Sequence, residues 1–134
     1  MKKIVSLFIC IIMLLALVGC ARSITNKLGL NTDGVKSVMV SSLPSVRKGY
    51  IFDGEKAEKL VNYLTGLDLK SKFSENPDEY DGMTWVISIE YESGDTAVVY
   101  HFGNMFIKNG DGSWFRMNYE QAEQLDTLLA ELSK

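Results

Sequence analysis

The chain reads as an α+β domain: an antiparallel sheet of about six to seven strands with two helices on one face. Three observations carry that reading. Residues 85–117 alternate apolar and polar side chains and are broken at short intervals by Gly-containing turns, the pattern of a meander. Two other segments, 57–64 and 122–132, space their apolar residues at helical intervals instead. The helical segments stand apart from the consecutive strands, and such segregation marks α+β rather than a parallel βαβ chain.

Val35 to Leu43 reads as a strand with Val38 and Val40 on one side and Met39 on the other. Pro44 interrupts it, and Val46 to Phe52 resumes the extended pattern through Tyr50. Asp53 is placed to cap a helix in which Ala57, Leu60, Val61 and Leu64 share one face. Glu55, Lys56, Glu58 and Lys59 lie on the outer face, and Gly66 is the stop. Leu67 to Phe73 alternates as a short edge strand, and residues 74–82 form an acidic loop broken by Pro77.

The strongest strand signal is Trp85, Ile87, Ile89 and Tyr91, assigned to the core face. A two-residue turn at Ser93-Gly94 then pairs Ile89 with Val98, Ile87 with Tyr100 and Trp85 with Phe102. A second tight turn at Gly103-Asn104 keeps Met105 and Ile107 on the core face. Asn109 to Gly112 makes the third turn, and Ser113 to Met117 closes the meander. Asn118 caps the last helix with Gln121 as its capping-box partner. Ala122, Leu125, Leu128, Leu129 and Leu132 form the buried stripe of that helix.

The amino-terminal segment has a different character. Lys2 and Lys3 precede an uncharged apolar run from Ile4 to Val18, too short for a spanning helix, which needs roughly 20 residues. The run ends at Leu17-Val18-Gly19-Cys20, which resembles the lipobox of bacterial lipoproteins. The resemblance implies removal of residues 1–19 and a diacylglycerol thioether on Cys20, often with a further acyl chain such as palmitate. Two or three chains anchor stably where one is marginal. An uncleaved membrane helix and ordinary signal cleavage are the competing readings. Residues 20–34 then form the lipidated Cys and a tether with a reach of roughly 20 Å, or alternatively a short interfacial helix through Ile24, Leu28 and Leu30. Residues 35–134 are the single domain.

Charge and cysteine usage narrow the function. The chain has 14 Lys+Arg and 17 Asp+Glu, and loss of Lys2 and Lys3 leaves the mature part more acidic still. Such a domain offers no electrostatic footprint for nucleic acid or for docking on anionic lipid. Cys10 lies in the leader and Cys20 is the lipid site, so the domain has no disulfide, thiolate metal site or Cys nucleophile.

Few residues suggest chemistry. His101 is the one histidine, with Ser88 near it across the hairpin. Asn109, Asp111, Ser113 and Glu120 partly match an EF-hand loop, but Trp114 stands where that loop needs glycine. Glu75, Asp78, Glu79 and Asp81 form an acidic loop, read as solvated. No metal and no cofactor is expected. The register above places Val86, Val99, His101 and Phe106 together on the face away from the helices, with Trp114, Phe115 and Arg116 beside them. Aromatic and Arg anchors of this kind dominate protein interfaces.

The expectation is a non-catalytic binding or sensing module. The membrane holds it through Cys20 on the extracytoplasmic face, and an envelope protein or ligand is its partner. A small envelope-associated hydrolase and a purely structural lipoprotein are the alternatives. Beyond Cys20 the likeness to small lipoproteins of Gram-positive bacteria is one of pattern and transfers no functional residue.

Overall fold

A computed structural model describes residues 26–43, 49–103 and 105–134. The leader, the lipobox with Cys20, Pro44, Val46 and Asn104 lie outside the described residues. The fold is α+β: a six-stranded antiparallel open sheet with two helices packed against it. The strands are β1 (Val35–Leu43), β2 (Tyr50–Asp53), β3 (Thr84–Tyr91), β4 (Thr96–Phe102), β5 (Phe106–Lys108) and β6 (Trp114–Arg116). Their order in the sheet is β2-β1-β3-β4-β5-β6, which leaves β2 and β6 as the two edges.

Helix α1 (Gly54–Thr65) buries Ala57, Leu60, Val61 and Leu64, the four residues the spacing marks. Asp53 is its N-cap residue, though its side chain makes no capping bond. Helix α2 (Tyr119–Leu132) buries Ala122, Leu125, Leu128, Leu129 and Leu132. Asn118 caps it, accepting a 2.8 Å bond from the Gln121 N–H. The capping box is only half formed, because the buried Oε1 of Gln121 has no hydrogen-bond partner. Both stripes enter one core with Val38, Val40, Ile87, Ile89, Val99, Ile107 and Phe115, all from a single face of the sheet.

Three sequence expectations change. First, Leu28 and Leu30 are buried at 4% and 2% exposure and belong to this core. The Asn26 carboxamide accepts from the Leu30 N–H and donates to its carbonyl, and Lys27 Nζ bonds Leu69 O. Residues 26–34 are therefore part of the domain and not tether or interfacial helix, held by the two buried leucines together with the bonds of Asn26 and Lys27.

Second, Leu67 to Phe73 is not a strand. Only Lys70 pairs, in an isolated bridge with Arg116 at the edge of β6.

Third, β4 is turned over. Ile87 pairs with Val99, Ile89 with Ala97 and Trp85 with His101, one residue away from the expected register. The cause is the turn. Tyr91 N–H bonds Asp95 O and Gly94 N–H bonds Tyr91 O, so the loop holds Glu92, Ser93 and Gly94, with Gly94 at φ +87. Three-residue loops of this sort end on a left-handed residue. A slip of one exchanges every side chain between faces. The β4–β5 connection is also one residue longer than expected, since Phe102 pairs with Phe106. The two differences cancel, and Ile107 faces the core as expected.

Candidate functional site

The correction to β4 divides the expected patch between the two faces. Val99 and His101 are fully buried and Phe115 is 8% exposed, all on the helix side. Val86, Phe106, Trp114 and Arg116 lie on the opposite, open face, each half-buried. No single surface contains all seven.

His101 is a core residue. Its Nε2 lies 3.0 Å from Asp126 Oδ1 on α2, and its Nδ1 lies 3.1 Å from the Phe106 carbonyl. Ser88 pairs with Val98 in the row of the open face, across the sheet from His101. A Ser-His pairing is therefore geometrically closed. Helix position alone did not reveal Asp126; its contact follows from the turned-over β4.

The open face is built in rows. Ser41, Val86, Tyr100, Lys108 and Trp114 form one, and Leu43, Thr84, Phe102, Phe106 and Arg116 the next. Lys108 Nζ sits 5.1 Å from the centre of the Tyr100 ring and 4.8 Å from that of Trp114, so its charge rests on two aromatic faces. Met39 and Ile51 pair side by side beyond Ser88 and are 45% and 73% exposed.

The segment 73–82 covers one end of this face. Phe73 tilts against Phe106 with centroids 5.6 Å apart, and Tyr80 stacks on the same ring at 6.1 Å. Trp114 packs edge-on to Phe102 and donates its indole N–H to Asp78 at 3.2 Å. Arg116 pairs with Glu75 at 3.3 Å. Two of the four acidic loop residues thus fasten the loop to the sheet, and the aromatic spacing of Phe73 and Tyr80 was the unused sign of it. A depression of about 280 Å³ remains between Tyr80, Phe102, Met105 and Phe106.

The EF-hand-like positions do other work. Asn109 Oδ1 accepts the Asp111 and Ser113 N–H groups, and Nδ2 donates to the Lys27 carbonyl. Among the described residues no group of three or more His, Cys, Asp or Glu side chains could hold a metal ion.

A second concavity, of about 730 Å³, lies between the helices. Glu120, Glu123 and Glu131 line it with Lys59 and Tyr63. The Tyr63 hydroxyl donates to Gln121 O at 2.7 Å. Burial first, and then the charge of Glu120, push its pKa above the usual 10.0. Tyr119 is raised by its hydrogen bond to Glu123. Among the described residues no helix is long and apolar enough to cross a membrane.

The geometry defines an antiparallel α+β domain with one covered and one partly open sheet face. No protein-family model, no curated protein and no solved structure matches the chain.

Proposed function

We propose that this chain is a non-catalytic binding module, held by lipid on Cys20 at the extracytoplasmic face of a membrane, whose open sheet face docks an envelope protein or ligand. The observation that carries the docking is the part of that face beyond the reach of segment 73–82. There Met39 stands exposed in one row with Ser88 and Val98, the next row holds Val86 and Tyr100, and Lys108 lies at the border. A half-open apolar sheet face edged by aromatic rings is the usual setting of a protein contact. The anchor rests on Leu17-Val18-Gly19-Cys20.

His101 speaks against the hydrolase alternative, since it is fully buried and both of its ring nitrogens face protein acceptors. The test is cross-linking and capture from detergent-solubilised envelope, comparing the wild type with Met39→Asp and Val86→Ser. Partners held by the wild type and lost by both variants support the reading. Equal recovery from all three removes the open face as the docking surface. Mass spectrometry of the cellular protein tests the anchor: an intact leader or a bare thiol at Cys20 removes it.

A further inference from the structure

We propose that the depression beside segment 73–82 binds a small quaternary ammonium cation, held by aromatic rings and by the Asp81 carboxylate. The site lies at the covered end of the sheet face. It goes beyond the docking proposal and does not depend on it.

The walls come from the sheet and from the loop. Phe102 and Phe106 stand opposite one another on β4 and β5, on the open face. Tyr80 stacks on Phe106, with centroids 6.1 Å apart and ring planes 23° from parallel. The main chain at Gly82 runs so near Phe102 that a Cβ there would touch the ring at 3.4 Å. That approach sets the preceding residue, Asp81, at the rim of the depression, and Met105 completes the lining. The space is about 280 Å³. Pockets that enclose a whole drug-sized ligand run to roughly 300–1,000 Å³, so this one suits a single compact group.

The charge selects the guest. Segment 74–82 carries Glu75, Asp78, Glu79 and Asp81 and no basic residue. Arg116 pairs with Glu75, and the Trp114 indole takes Asp78. Among the described residues Asp81 has neither a hydrogen bond nor an ion pair, and it is exposed. An uncompensated carboxylate thus borders three aromatic rings, whose faces carry negative potential, and both attract a cation. The same sheet face already shows this preference, since Lys108 Nζ rests 5.1 and 4.8 Å from the ring centres of Tyr100 and Trp114.

A hard metal ion needs about six oxygen ligands, and the lining supplies one carboxylate. A primary ammonium is strongly hydrated and would give up its water for rings. A quaternary ammonium has no N–H to satisfy; its methyl groups bury against the rings while its charge faces Asp81. An anion on the same molecule would be repelled by Asp81, so the guest is a free cation and not a phosphate-bearing lipid headgroup.

The experiment is a nuclear magnetic resonance titration of the full-length chain in non-ionic detergent, with methionine methyl groups labelled. The probes are choline chloride, phosphocholine, and dimethylbutanol, in which a tert-butyl group replaces the trimethylammonium. The expected result is a saturable shift of the Met105 methyl by choline, with Met39, two rows away on the same face, unmoved. Dimethylbutanol should bind about tenfold more weakly. Asp81→Asn and Tyr80→Leu, both at exposed positions, should each weaken choline about threefold or more with unchanged circular dichroism. The first should leave the alcohol unaffected. Choline and the alcohol binding alike, phosphocholine binding as tightly as choline, no saturable shift at Met105, or full choline affinity in Asp81→Asn overturns the inference.

Discussion

His101 Nε2 lies 3.0 Å from Asp126 Oδ1, so a bond that begins in the core ends on a carboxylate that is itself 47% exposed. The other ring nitrogen faces the Phe106 carbonyl at 3.1 Å. Both ring nitrogens thus lie within hydrogen-bond distance of a protein oxygen, and which of them donates follows the tautomer. The imidazole therefore joins β4, the start of β5 and α2.

Truncating either end of that link should destabilise the fold unequally. His101→Ala leaves a cavity and strands the Phe106 carbonyl, at a cost of about 2–4 kcal/mol. Asp126→Ala leaves Nε2 unsatisfied, at about 1–3 kcal/mol, and Asp126→Asn, which keeps an acceptor, should cost less. Urea unfolding of the three variants checks the order. An unchanged midpoint for Asp126→Ala would show the bond to be idle.

The sequence reveals the helices, β3 and the end of the meander, but not the face of β4, for a physical reason. Val98, Val99, Tyr100, His101 and Phe102 put apolar bulk on both sides of the strand, so alternation cannot choose between them. Only the turn decides, and Gly94 serves a two-residue and a three-residue loop equally well. The candidate patch inherited that ambiguity, which is why Val99 and His101 fall in the core while Val86 and Phe106 do not; Phe115 joins them because it pairs with the core-facing Ile107. Leu28 and Leu30 were hidden differently: two leucines one residue apart make no period, and their burial depends on Asn26 and Asn109 holding the chain in place.

Leu30→Ala tests the boundary of the folded body. A tether residue would tolerate the change, whereas a leucine at 2% exposure in a shared core should cost about 2–5 kcal/mol. Thermal or urea unfolding distinguishes the two, and a loss near zero would return residues 26–34 to the linker.

The Lys36–Glu90 pair gives stability a pH signature. The 2.7 Å bond from Lys36, with its charge, holds Glu90 below the usual 4.5, and Glu90 holds Lys36 above 10.5. A depressed carboxylate contributes stability above its unfolded pKa and loses it as pH falls through the folded one. A raised lysine contributes below its unfolded pKa and loses it as pH rises through the folded one. The pair thus acts between about 4.5 and 10.5 and fades on either side. Both groups are solvent-exposed, so the effect is small and salt-sensitive. Wild type and Glu90→Gln should differ most at neutral pH and low salt, and converge as acid is added. A gap that widens below pH 4 would refute the assignment.

Asn109 is the strongest test of how the amino-terminal segment is held. Its carboxamide receives N–H bonds of 3.1 and 3.0 Å from Asp111 and Ser113, and its own Nδ2 reaches the Lys27 carbonyl at 3.2 Å. The first two bonds shape the β5–β6 loop, in which Gly112 adopts φ +87 as Gly94 does in the β3–β4 loop. The third ties that loop to the residues that deliver Leu28 and Leu30. Asn109→Ala removes all three and should cost about 2–4 kcal/mol at roughly 1 kcal/mol each. Asn109→Asp keeps the two accepted bonds and sets a carboxylate against the Lys27 carbonyl, so the loop should persist while the segment loosens. Hydrogen exchange separates the two effects. Asn109→Asp should speed exchange at Leu30 and leave Ser113 protected, and equal acceleration at both sites would show that the loop and the segment are one cooperative unit.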